Sequence, residues 1–221
     1  MKPIWRFRLF ATLIVVCVGG LSTLNLVAEF KRPPPSPLPA RGSKGPSADQ
    51  VSAARSTSEI APYRSDLKAE YAIALAGQAL DAGNASKAPG NQAAQDAVRS
   101  TLAIGPHDSR MWLVLALLQA RRNPHDPLIA ESLKMSYFTG PNRAELIPAR
   151  LDAVTLNDAL NDADLKELAR GDVRAILMQG PNQRQALIND YLRAAPLGKT
   201  FLEESSKMID PKFSDALRSA Y

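Results

Sequence analysis

The sequence predicts an all-α protein in three parts: a single apolar N-terminal helix (1–30), a proline-rich linker (31–62) and a domain of α-helical hairpins (63–221). Three observations carry this. An uncharged run of twenty residues opens the chain, proline density then rises abruptly, and beyond Pro62 apolar residues recur at helical spacing. No stretch keeps the sustained alternation of a half-buried strand.

The leader reads MKPIWRFRLFATLIVVCVGGLSTLNLVAEFKRPPP, with an uncharged run from Leu9 to Ala28. At about 1.5 Å per residue such a run reaches roughly 30 Å, the thickness of a bilayer's hydrocarbon core. Trp5, Phe7 and Phe10 suit an aromatic belt, and Lys2, Arg6 and Arg8 favour a cytoplasmic N-terminus, although Lys31 and Arg32 weaken the asymmetry. The competing reading is a cleaved signal peptide, with Val18-Gly19-Gly20 as the small-residue site. Apolar character persists past Gly20 through Leu21, Leu24, Leu26 and Val27, which favours an uncleaved anchor. Single-pass insertion in an inner membrane, with the C-terminal domain in the periplasm, is the resulting expectation. Cys17, the sole cysteine, follows two β-branched valines rather than the small residue a lipidation site needs. A cysteine-free exterior suits an oxidising compartment.

Charge divides along the same boundary. Residues 1–62 hold eight Lys/Arg against three Asp/Glu, whereas residues 63–221 hold nineteen of each. The net charge of +5 therefore belongs to the leader and linker. A nucleic-acid binder needs its basic excess on the domain, so nucleic acid is not expected as a partner.

The linker carries seven prolines between Lys31 and Pro62. Proline fixes φ and removes a backbone donor, so this segment is expected to form neither core nor helix. It reads as a flexible stalk. Its PPPSPLP stretch also has the P-x-x-P spacing of a polyproline ligand.

The domain reads as successive helices. Leu67, Tyr71, Leu75 and Ala79 form one broad face; Ala94, Val98 and Leu102 form the next; SRMWLVLALLQARR is apolar on nearly all sides and must be buried between neighbours. Asp126 caps a further helix, with Pro127 at its first position. Later helices are expected near 143–159, 162–170, 172–179, 183–194, 199–208 and 211–219.

The corners between them repeat: IGPH at 104–107, TGPN at 139–142 and QGPN at 179–182. Gly105, Gly140 and Gly180 are expected to close helices in the left-handed conformation, and Pro106, Pro141 and Pro181 to prevent continuation. Asn142 and Asn182 would cap the next helices, with Glu145 and Gln185 as capping-box partners. The prolines stand 35 and 40 residues apart, the period of two-helix repeats.

Within that frame the chain resembles a tetratricopeptide-type repeat over residues 66–147. The family's repeat has Trp, Leu, Gly and Tyr on its first helix, small residues on its second and a closing proline. Trp112 falls at the tryptophan, Leu115 at the leucine, Ala116 at the small residue and Gln119 at the tyrosine position. Pro106 stands six residues ahead of Trp112, as a preceding repeat's closing proline does, with Ala94, Val98 and Thr101 before it. Pro141 falls one residue late, DAGNASKAPGN lengthens the first hairpin, and the signature dissolves beyond Arg150. The resemblance implies a TPR-like solenoid with a non-catalytic, protein-binding role and no cofactor. Carrying over the inward face of the first helix selects Arg110, Leu113, Leu117 and Arg121, with Glu145 and Asp152 added from the next repeat. A scaffold gathering protein partners of an envelope assembly is the implied function, with envelope polysaccharide synthesis or export first. The alternatives are a helical envelope hydrolase and a cytochrome-maturation-type chaperone. An acidic residue buried in a deep cleft would favour the hydrolase, and a long open groove would favour binding.

Catalytic and metal motifs are incomplete. His107 and His125, the only histidines, each precede an Asp that reads as an N-cap, and two histidines are too few for a metal centre. LGKT at 197–200 lacks the first glycine of a phosphate loop, where Arg193 stands instead. NDALNDADLKE lacks the glycine and terminal Glu of a calcium loop. No Ser, His and acid triad assembles without one of the two capping histidines.

Overall fold

The computed structural model describes residues 3–39, 44–81, 89–179 and 181–219, and every regular element among them is a helix. In order these are α1 (Pro3–Phe30), α2 (Ala48–Ile60), α3 (Ser65–Asp81), α4 (Pro89–Ile104), α5 (Ser109–Arg122) and α6 (Leu128–Thr139). Then come α7 (Ile147–Thr155), α8 (Ala163–Gln179), α9 (Pro181–Arg193), α10 (Pro196–Ile209) and α11 (Pro211–Ser219). Single 3-10 turns, Ala144–Leu146 and Asp158–Asn161, flank α7. Phe7–Phe30 of α1 is long and apolar enough to cross a membrane.

Sequential helices pair: α3 lies on α4 and α5 on α6. The odd-numbered helices also touch in series, α3 on α5, α5 on α7 and α7 on α9, while α6 meets α8 and α8 meets α10. Two hydrophobic clusters fill the interior. One joins α3, α4 and α5 through Ile73, Val98, Met111 and Leu118; the larger runs from Leu113 through Leu151 and Phe201 to Leu217. Helix α5 supplies both, as its all-round apolar sequence requires. Each fully buried leucine contributes on the order of 2 kcal/mol.

The repeat-pattern residues of α5 sit inside: Leu115, Ala116 and Gln119 are buried, and the half-buried Trp112 donates its indole N–H to the Pro106 carbonyl at 2.8 Å. Asp108 caps α5 by accepting from the Arg110 N–H at 3.0 Å, and the Asp126 carboxylate accepts from the Leu128 N–H at 3.0 Å.

Several expectations are corrected. The linker contains a helix: no proline lies between residues 47 and 61, and Ser47 with Gln50 forms a reciprocal capping box that starts α2. Helix α2 packs on α3 and on the end of α1, so the expected flexible stalk is in part a packed element. The helix expected at 143–159 shortens to α7, because the ring of Pro148 conflicts with a continuous turn back to Ala144. The helices expected on either side of Gly171 are one, since Gly171 faces open space and need not break it.

The corner glycines also differ. Gly140 has φ −156° and ψ 63°, which is not left-handed, and Gly105 is not left-handed either; Gly180 lies outside the described residues. Asn142 sits in an exposed turn and caps nothing, since α7 begins at Ile147. Asn182 lies inside α9, and Gln185, also inside it, reaches Asn189 rather than a cap.

Helix α1 is held to the domain at its exit. Ala28 is fully buried beneath Ala61 and Leu67, and Arg64 reaches Glu29 at 2.8 Å and Asp66 at 2.6 Å. Arg32 reaches Asp66 at 3.4 Å and Glu29 at 3.5 Å, and the Thr57 hydroxyl donates to the Lys31 carbonyl at 3.3 Å.

Candidate functional site

A cleft of about 1090 Å³ is lined by residues of α3, α5, α7 and α9. Each helix presents residues one turn apart, as the helical period demands: Gly77 and Asp81, Leu117 and Arg121, Pro148 and Asp152, and Asp190 with Arg193. The remaining wall comes from outside the hairpins. Pro37-Leu38-Pro39 and Lys44-Gly45-Pro46 line it.

That wall is anchored along α3. The Ser36 N–H donates to Glu70 Oε2 at 3.1 Å, the Gly45 N–H donates to Asp81 Oδ2 at 3.1 Å, and Pro39 is buried. Leu38 packs against both hydrophobic clusters. Gly77 lets the segment come close, since a Cβ there would meet Pro46 Cδ at 2.6 Å. Proline suits such a wall because it is extended in advance and asks for no donor partner.

Charge concentrates at the α7–α9 end. Arg193 Nη2 holds Asp190 Oδ1 at 2.5 Å and Asp152 Oδ1 at 3.2 Å. Asp190 is only 5% exposed, and its Oδ2 is buried without a hydrogen-bond partner. Burial first, and then the charge of Asp152, push the Asp190 carboxyl up to about 6, against the opposing pull of Arg193. Across the cleft the half-buried Arg121 keeps its Nε buried and unbonded. The cleft thus combines an apolar floor, a guanidinium able to donate and a carboxylate pair able to hold a proton or a cation.

Of the residues selected from sequence, Leu117, Arg121, Glu145 and Asp152 line this cleft. Arg110 and Leu113 do not. Arg110 turns to Asp108 at 3.2 Å and Glu70 at 3.8 Å, and Leu113 is fully buried in the larger cluster with Leu146 and Ile147. The N-terminal half of α5 is covered where α7 begins, so only its C-terminal turns reach the opening. Asp190, Arg193 and the Pro37–Pro39 wall were missed, because no local pattern marks residues that meet only through stacking.

The LGKT glycine has a packing role. A Cβ at Gly198 would run into the Thr155 carbonyl and lie 2.8 Å from its Cα, so α10 crosses the end of α7 there. Among the described residues no three His, Cys, Asp or Glu side chains gather as a metal group, and His125 pairs with Asp158 through Nδ1 at 2.5 Å. No protein-family model matches the chain, and neither does any curated protein or solved structure.

Proposed function

We propose that this chain is a membrane-anchored, non-catalytic scaffold whose cleft captures an extended segment of a protein partner. The helix pairs α3/α4, α5/α6, α7/α8 and α9/α10 read as hairpins of a TPR-like solenoid, with α3, α5, α7 and α9 on the inner face. One observation carries the reading: two proline-rich stretches of the chain itself, Pro37–Pro39 and Lys44–Pro46, already form a wall of the cleft, held by backbone N–H groups on Glu70 and Asp81 and by Leu38. Segments of that character fit the remaining surface, which Leu117 and Arg121 line. The domain would lie on the periplasmic side of an inner membrane, serving envelope polysaccharide synthesis or export as the repeat resemblance implies.

Photo-crosslinking in intact membranes tests this. A photoreactive residue at Leu117 should give an adduct with one envelope protein that Arg121→Glu abolishes. The same residue at the exposed Met208 of α10 should not. Equal adducts from both positions, or an adduct indifferent to Arg121→Glu, would refute the cleft as the binding site.

A second reading, an envelope hydrolase, is favoured by Asp190, an acid buried in a cleft beside a second carboxylate. Hydrolysis of envelope polysaccharide by the purified chain, lost in Asp190→Asn, would select it over the scaffold.

A further inference from the structure

Phe30 and Tyr63 are each 84% exposed, more than any other large apolar side chain among the described residues. They lie at one level of the molecule. Phe30 ends α1, while Tyr63 sits in the turn whose Ala61 is buried over Ala28 and whose Arg64 grips Glu29 at 2.8 Å. We propose that this turn, Ala61–Arg64, and Phe30 form an interfacial foot that seats in the headgroup layer of the bilayer crossed by α1. The domain then stands on the membrane at a fixed height rather than hanging from a stalk. This rests on the reading of α1 as a membrane span.

The geometry leaves little choice of depth. The uncharged run of α1 ends at Ala28, within the candidate span Phe7–Phe30, and Ala61 and Leu67 close over that same residue, less than one helical turn from the end of α1. Whatever covers Ala28 must therefore lie at the edge of the hydrocarbon. Charges at that depth are costly unless paired, and here they are paired. Glu29, Arg32, Arg64 and Asp66 form a closed, neutral quartet with contacts between 2.6 and 3.5 Å. Backbone groups are satisfied as well: the Arg64 N–H donates to Ala61 at 3.0 Å, Lys31 to Val27 at 3.1 Å and Arg32 to Glu29 at 3.2 Å. Outward the foot leaves the two aromatic rings, Pro62 and Lys31, beside the part-exposed but paired carboxylates of Glu29 and Asp66. Tyrosine and phenylalanine at headgroup level, with a lysine able to reach phosphate, match a bilayer interface.

Spin labels on the full-length chain in phosphatidylethanolamine–phosphatidylglycerol proteoliposomes test the foot. The native Cys17 reports the span; Tyr63→Cys and Phe138→Cys, each with Cys17→Ser, report the foot and the exposed far side of α6. Collision with a water-soluble nickel chelate should be lowest at 17, several-fold lower at 63 than at 138, and raised at 63 by Arg64→Glu. Reversing all four charges together, Glu29→Arg, Arg32→Glu, Arg64→Glu and Asp66→Arg, keeps every contact of the quartet between opposite charges and should restore shielding. Nickel access at 63 equal to that at 138, with 17 still in lipid, overturns the foot while leaving the span intact. Access at 17 overturns both. Shielding at 63 that scales with protein-to-lipid ratio assigns the surface to a second copy of the chain and overturns the lipid contact.

Discussion

Gly140 lies so close to Ser109 that a Cβ built on it would fall 2.7 Å from the Ser109 Cβ. The preceding hairpin repeats the arrangement more loosely, with Gly105 facing the Ser65 Cβ at 3.2 Å. In both, the glycine ending the second helix rests on the serine that begins the first. Close approach, rather than a left-handed backbone, is what selects glycine at these corners. The Gly140 carbonyl then accepts from Arg150 Nη2 at 2.9 Å, which fixes the corner against α7.

Gly140→Ala should therefore lower stability by about 1 to 3 kcal/mol through overpacking. Ser109→Gly introduced beside it should recover much of that loss, despite its own modest helix penalty. Urea unfolding of the four proteins in a double-mutant cycle measures the coupling. Independent, additive effects would show that the contact is not the cause.

Asp190 should make stability depend on pH with a definite sign. Its folded value of about 6 exceeds the unfolded value of about 3.9, so the folded state binds more protons between these limits. Stability is then lost as pH rises through that window, by roughly 2 to 3 kcal/mol, and below it both states are protonated. Asp190→Asn removes this slope and should gain on the parent from about pH 4 to about 6, then hold a constant lead. Asp172, pushed up to about 6 by burial while the Tyr137 hydroxyl donates to it, keeps its own slope in both proteins. Urea midpoints at several pH values decide the matter; a constant difference would mean that Asp190 titrates alike in both states.

Trp112→Phe should cost at least about 1 kcal/mol, the net worth of the 2.8 Å hydrogen bond to Pro106, with the packing of the indole's lost second ring added to it. Thermal unfolding of the detergent-solubilised chain would register it. No change would mean that the indole bonds water equally well in the half-exposed corner.

The sequence by itself determined the helices whose signals are local. The apolar run of α1, the periodic faces of α3 to α6 and the Asp108 cap all rest on residues a helical turn or less apart, whereas α6 starts one residue later than its signals suggest, with Pro127 at the N-cap and Asp126 accepting from the Leu128 N–H. The stripe of Leu117 and Arg121 was legible for the same reason. The shortening of α7 at Pro148 was locally available too, but the apolar periodicity around it pointed to a longer helix.

Only the tertiary structure decided the rest. Asp152 and Asp190 share Arg193 because α7 and α9 stack, and the raised Asp190 carboxyl follows from burial that no local pattern encodes. The linker counted by its prolines looked structureless, yet Leu38 finds both clusters, and α2 finds α3 and the end of α1. Gly105 and Gly140 have a role only once the serines at 65 and 109 arrive opposite them. The Asp152–Arg193 and glycine–serine pairings join residues about 30 to 40 positions apart, whose encounter depends on how neighbouring helices pack, a collective outcome of burial rather than of any segment's own preference.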